Sequence, residues 1–251
     1  MAVSGDGVPA VVRLLADPVR WRLARELARG DQRVRELVAV TGHPQNLVSY
    51  HLRQLRDGGL VTARRSSLDA RDTYYSLDLD GCARALAGTA ASLHPGLAAA
   101  PRQAAYPARQ RRRVLFVCTG NSARSPAAAA LLRHRGGARV LAMSAGIRPK
   151  PVHPDAVAVL RERYRIDISG HRPTRVESVA GQRFDYVISL CDKAREACPE
   201  FPGRPGRIHW SLPDPAADEG GLAGAAAFER MAVDLDTRIR FLLPAIEPDA
   251  A

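Results

Sequence analysis

Apolar and polar positions along this chain follow one rhythm in its first third and another after its middle. "VPAVVRLLADPVRWRLARELARG" repeats apolar residues at helical spacing and breaks at Asp17-Pro18. The break predicts two helices, with Asp17 as N-cap and Pro18 in the first turn of the second. "RVRELVAVTG" predicts a short helix stopped by Gly42, and "HPQNLVSYHLRQLRDGGLV" another that starts near Pro44 and ends at Gly58-Gly59. On this last helix Val48, Leu52 and Leu55 form an apolar stripe, while Asn46, Ser49, Tyr50 and Arg53 form a polar one. "LVTARRSSLDARDTYYSLDL" then places two short β-prone runs around a charged loop, the pattern of a hairpin.

The periodicity fades in "SLHPGLAAAPRQAAYPARQRRR", a stretch of prolines, small residues and a terminal basic run that reads as a linker. Beyond it the apolar run "RVLFV" predicts a buried strand, followed by a small polar loop and a helix-like run of alanines and leucines. "YVISLC" and "RIHW" are further apolar, strand-like runs. The chain therefore divides into a domain at 1–97, a linker at 98–112 and a domain at 113–251, with no internal repeat.

No run of 18 or more apolar residues and no signal-like opening occurs, so a soluble, cytoplasmic protein with no membrane contact is expected. Of the net charge of +11, the larger part lies in the first half: residues 1–112 carry 17 Lys and Arg against 10 Asp and Glu. That suggests an anionic partner such as nucleic acid. The four cysteines, Cys82, Cys118, Cys191 and Cys198, fit catalytic or redox roles better than structural disulfides in a reducing compartment. No CxxC, HExxH or clustered Cys/His spacing supports a metal site, and no bound cofactor is expected.

Helix, short turn, helix and basic hairpin make the outline of a winged helix-turn-helix, a mainly α domain. Its polar stripe would enter the major groove, with Gln45, Asn46, Ser49, Tyr50 and Arg53 facing bases or phosphates. Arg64, Arg65 and Arg71 on the wing would meet phosphates. "LLADPVRWRLARELARG", "VRELVAVTGHPQNLVSYHLRQLRDGGLVTARR" and "DTYYSLD" resemble the ArsR family of bacterial regulators over most of residues 8–80. The resemblance implies an operator-binding homodimer formed through this domain. Many metal- or arsenic-sensing members carry Cys-Val-Cys where this chain has Arg33-Val34-Arg35, and two guanidiniums cannot ligand arsenite.

In "VLFVCTGNSARSP" five residues separate Cys118 from Arg124. A free cysteine titrates at about 8.5, so a nucleophilic one needs help to be a thiolate. A helix N-terminus with converging N–H groups stabilises both a thiolate and an incoming oxyanion. The expected cradle is Thr119, Gly120, Asn121, Ser122, Ala123, Arg124 and Ser125. Gly120 would let the backbone curl, Asn121 and Ser122 would brace it, and Ser125 would bond the sulfur. Arg124 would offer a bidentate fork to two oxygens. From Val114 to about Leu243 the chain resembles the low-molecular-weight tyrosine phosphatase superfamily, which implies an α/β fold with a four-stranded parallel sheet. That superfamily uses an Asp-Pro general acid, supplied here by Asp214-Pro215. A partly buried carboxyl with a raised pKa would suit that task.

"YVISLCDKAREACPEFPG" adds Cys191 and Cys198, which hydrolysis of a phosphoester does not need and a two-electron reduction does. This C-x6-C spacing, together with "PVHPDAVAVLRERYRIDISGHRP", resembles thioredoxin-coupled arsenate reductases. The resemblance implies catalysis by Cys118, Arg124 and Asp214. A relay would pass through Cys118–Cys191 to Cys191–Cys198, discharged by thioredoxin or a low-molecular-weight thiol. A helix between the two later cysteines would hold their Cα atoms about 10 Å apart, so this segment must loop or unwind to join them. Ala216, Ala217 and Asp218 follow the Asp-Pro where phosphatases of this fold carry tyrosines. The reductase's usual glutamate for potassium is absent, since Pro126-Ala127-Ala128-Ala129 stands in its place. A tyrosine phosphatase joined to a DNA-binding domain is the alternative, and a regulator that only senses an oxyanion is a third.

Overall fold

Residues 7–94, 97, 111–217 and 224–246 are described by the computed structural model. The chain folds as two compact units, Met1–Ala105 and Tyr106–Ala251. Most of the expected linker, residues 98–110, lies outside the described residues.

The first unit begins with α1 (Ala10–Leu15) and α2 (Pro18–Leu27). Asp17 caps α2 as expected: its carboxylate accepts from the N–H groups of Val19 and Arg20. A two-residue strand β1 (Gln32–Arg33), too short to mark the sequence, precedes α3 (Val34–Thr41), which ends at Gly42 with φ 72°. α4 spans Gln45–Asp57, and β2 (Val61–Arg65) and β3 (Thr73–Leu77) form the hairpin, with β1 added beyond β3 in an antiparallel sheet. α5 (Leu79–Leu93) closes the unit. The apolar stripe of α4 is its core: Val48, Leu52 and Leu55 are each 0% exposed, worth about 2 kcal/mol apiece in burial. His51 is buried beside them.

In the second unit β4 (Arg112–Cys118) takes in the last two residues of the basic run. It is followed by α6 (Arg124–Gly136), β5 (Val140–Gly146), α7 (Pro154–Tyr164), β6 (Tyr186–Ser189), α8 (Asp192–Ala197), β7 (Gly206–His209) and α9 (Ala225–Ile246). The four strands make one parallel sheet in the order β5-β4-β6-β7. Val114 to Val117 in the central strand are each 0% exposed, which fits a strand covered on both faces. β4 also sits where the strand order reverses, and its carboxyl end is where such sheets open a binding crevice. Among the described residues no helix is long and apolar enough to cross a membrane.

Candidate functional site

β4 delivers Cys118 to that crevice, and α6 starts six residues later at Arg124. The loop between them is held from outside by its own carbonyls. The N–H groups of Ile147, Arg148, Lys150 and His153 donate to the carbonyls of Cys118 (3.2 Å), Thr119 (2.8 Å), Gly120 (2.8 Å) and Ser122 (2.9 Å). Carbonyls turned outward leave the opposite side of the loop for N–H groups, which is what an anion requires.

The sharp curl falls on Asn121, with φ 47°, and not on Gly120 as the sequence suggested. Asparagine tolerates this left-handed conformation because its short side chain bonds locally. Asn121 Nδ2 donates to Ser125 Oγ (2.9 Å) and Ser144 Oγ (3.0 Å), while Oδ1 accepts from Thr174 N–H at 2.8 Å and faces His171 Nε2 at 3.2 Å. Burial, with the Arg133 charge adding to it, pushes His171 below its ordinary 6.5. Gly120 serves for space instead: a Cβ there would stand 3.0 Å from Ser122 Oγ.

The N–H of Asn121 points at Cys118 Sγ (3.2 Å), and Ser125 Oγ lies 3.0 Å from the same sulfur. Thr119 faces the other way, with Oγ1 3.2 Å from Cys191 Sγ. Ala123 is buried and is the N-cap of α6, and Ser122 contributes its carbonyl to the outer bonds. Arg124 is buried; Nη1 donates to the Leu212 carbonyl (3.2 Å) and Nη2 pairs with Asp214 Oδ2 (3.1 Å). Burial works against its charge, but Cys191, Cys118, Asp214 and Asp192 outweigh it and hold the guanidinium firmly protonated.

Asp214 is partly buried: its side chain is 47% exposed and paired with Arg124 at the rim, where the short segment after β7 carries it. Asp218 lies outside the described residues.

Cys191 is buried two residues past β6, and Cys198 is half-buried at the far end of α8, so the segment between them is helical. All four thiols are free. Burial pushes Cys198 up, with Glu200 adding to it against Arg207. Cys82 is pushed up to about 11 by burial and Asp78, and its thiol lies 3.7 Å from the Leu60 carbonyl, which makes it a packing residue.

In the first unit Gln45, Asn46, Ser49, Tyr50 and Arg53 are all exposed on one side of α4. The wing arginines turn back on the hairpin: Arg64 and Arg65 donate to the carbonyls of Arg65 and Ala70, and Arg71 pairs with Asp69. Arg33 and Arg35, where a sensor would have thiolates, both reach Asp72 Oδ2 at 3.1 Å. Among the described residues no three or more His, Cys, Asp or Glu side chains gather to hold a metal ion.

Sequence reasoning missed Gly146. A Cβ there would meet the Asn121 nitrogen at 2.8 Å and the Thr119 carbonyl at 3.0 Å, both backbone atoms that cannot step aside. The small residue ending "MSAG" at the close of a strand was the available signal.

Residues 113–251 match the low molecular weight phosphotyrosine protein phosphatase family, and residues 17–63 match the bacterial regulatory protein arsR family. An arsenate reductase of Halalkalibacterium halodurans is 35% identical over 128 residues, covering 51% of this chain and 91% of that protein. One from Brevibacillus brevis is 33% identical over 130 residues, covering 52% and 92%. A solved arsenate reductase in its oxidised state is 29% identical, covering 54% of this chain and 99% of that one, with a TM-score of 0.47.

Gly146→Ala is expected to displace Asn121 and weaken oxyanion binding by about tenfold or more, since small misplacements at such sites cost heavily. Protection of Cys118 from iodoacetamide by inorganic phosphate measures this. Unchanged protection would mean that the close approach of the two backbones does not matter.

Proposed function

The chain belongs to the low molecular weight phosphotyrosine protein phosphatase family through residues 113–251, and from that premise we propose that it is a DNA-binding regulator fused to an arsenate reductase. The observation that carries this reading is Cys191. It is a buried free thiol whose sulfur sits 3.2 Å from the hydroxyl of the residue next to Cys118, a second sulfur that phosphoester hydrolysis does not use. The named relatives that cover nearly their whole length on this domain are arsenate reductases, which favours the same choice.

In this reading the oxyanion loop binds arsenate, with Arg124 and the loop's N–H groups, that of Asn121 among them, sharing its charge. Cys118 displaces one oxygen, which leaves as water after taking a proton from Asp214. The Cys191 thiolate then attacks Cys118 Sγ. The sulfur–arsenic bond breaks with its electron pair kept by arsenic, which departs as arsenite, and a Cys118–Cys191 disulfide remains. Cys198 attacks Cys191, frees Cys118, and leaves a disulfide nearer the surface for an external dithiol such as thioredoxin. Because α8 is helical, with the two sulfurs at its ends, closing that bond requires α8 to melt.

The N-terminal domain binds an operator through the exposed face of α4, as a homodimer. α5 has no fully buried residue and exposes Leu86 (52%) and Leu93 (76%), an apolar face suited to a second copy. With Arg33 and Arg35 committed to Asp72, this domain does not sense metalloid by thiolate ligation. Free thiols throughout fit a cytoplasmic site of action.

Arsenate-dependent oxidation of NADPH, with thioredoxin and its reductase, tests the enzyme half. Wild type turns over, and Cys191→Ser and Cys198→Ser both fall to background. Hydrolysis of an aryl phosphate that is indifferent to Cys191→Ser, with no arsenate turnover, would establish a phosphatase instead. For the regulator half, Arg53→Ala lowers duplex-DNA affinity and reduces the salt slope by about one. An unchanged affinity and slope would remove α4 from the DNA interface.

A further inference from the structure

The relay asks opposite things of the two ends of α8: Cys191 must stay beside the oxyanion loop while Cys198 travels to it. Asp192, the first residue of α8 and the neighbour of Cys191, is 0% exposed. A charged side chain at a helix start is ordinarily solvated, and burying one is costly without donors. Here Asp192 Oδ1 accepts from Ser211 Oγ at 2.6 Å and lies 3.3 Å from His209 Nε2. His209 Nδ1 is 2.8 Å from Ser189 Oγ, and Ser189 and His209 are paired in register across β6 and β7. Ser189, His209 and Ser211 are buried as well. At the opposite end of the helix Glu196 and Ala197 are exposed and Cys198 is half-buried.

We infer that Asp192 is a positioning residue for the cysteine relay: its buried carboxylate pins the first turn of α8 to the ends of β6 and β7. Cys191 is thereby kept in place while the helix unwinds from the Cys198 end. The inference rests on the arsenate reductase reading and adds to it the fixed end of the moving segment. Pulling Asp192 from Ser211 and His209 would break charge-assisted hydrogen bonds in a buried place, whereas unwinding the last turn exposes groups already near water. Ser211 also lies one residue before Leu212, whose carbonyl accepts from Arg124, so the same anchor steadies the segment leading to Asp214. In the exchange itself the Cys198 thiolate attacks Cys191 Sγ. The Cys118–Cys191 bond breaks, the Cys191–Cys198 bond forms and Cys118 leaves as a thiolate. The Cys198 proton passes to solvent, and no net electrons are needed.

The test uses the full reduced chain and limiting diamide, a two-electron thiol oxidant that takes up the electrons and protons of each disulfide formed. Disulfides are mapped over time by mass spectrometry in wild type, Asp192→Ala, Asp192→Asn and Ser211→Ala. Asp192→Ala is expected to slow Cys118–Cys191 closure by about tenfold or more, while Asp192→Asn, which keeps an acceptor for Ser211, stays within about threefold of wild type. Ser211→Ala, a milder change that leaves the fold less exposed to damage, falls between them. Phosphate protection of Cys118 weakens by no more than about threefold in all three, whereas a general loss of structure would abolish it. Closure at the wild-type rate in Asp192→Ala and Ser211→Ala overturns the proposal. Because diamide replaces arsenate, a wild type that fails to reduce arsenate would defeat the enzymatic reading and leave this result standing on its own.

Discussion

Four hydrogen bonds set the character of the C-terminal domain: those from the backbone of residues 147–153 to the carbonyls of the loop that begins at Cys118. A loop lined by its own carbonyl oxygens would repel an oxyanion. By supplying donors from outside, the segment after β5 turns those oxygens away and leaves the inner side open to N–H groups such as that of Asn121. Everything else at the site presumes this arrangement. Asn121 can be left-handed because Ser144, Ser125 and Thr174 hold its side chain, and its N–H then meets Cys118 Sγ. Gly146 is needed because the two backbones run too close for a Cβ.

The sheet order then decides which sulfur can take part. β4 lies between β5 and β6, so the loop after β4 and the turn after β6 open on the same crevice at the carboxyl ends of parallel strands. That topology places Cys191 next to Thr119, and it does so for backbone reasons that are independent of the cysteine chemistry. Arg124 ties the third side of the crevice to the segment after β7 through Leu212 and Asp214. One guanidinium therefore answers to two sulfurs and two carboxylates, which is why it stays charged despite its burial.

Residues whose chemistry is unusual for their position were readable in the sequence. Asp17 before a proline, Gly42 after an apolar run, and Cys118 separated by five residues from Arg124 each announce a local structure. So do the Val48, Leu52 and Leu55 stripe and the polar face opposite it. What stayed hidden was carried by the backbone or by distant partners. The N–H groups of Ile147, Arg148, Lys150 and His153 have no side-chain signature, and β1 is two residues long. Asp192 looks like an ordinary solvated helix start until Ser211 and His209 are brought to it by β7. The placement of Asp214 in an ion pair depends on Arg124, far earlier in the chain, and could not be read locally.

Joined to this chemistry is a domain whose sensor positions are occupied by an ion-pair cluster around Asp72, so control by the metalloid, where it operates, must act through other groups. The oxyanion loop and its two companion thiols, in the function proposed above, form one two-electron device. A single anaerobic turnover, with arsenate added to the fully reduced chain and no external reductant, tests that claim most directly. The chain begins with four free thiols. Two thiols are expected to disappear for each arsenite released, with Cys82 still a free thiol when the chain is unfolded and titrated afterwards. Arsenate bound at the loop with all four thiols intact and no arsenite formed would contradict it.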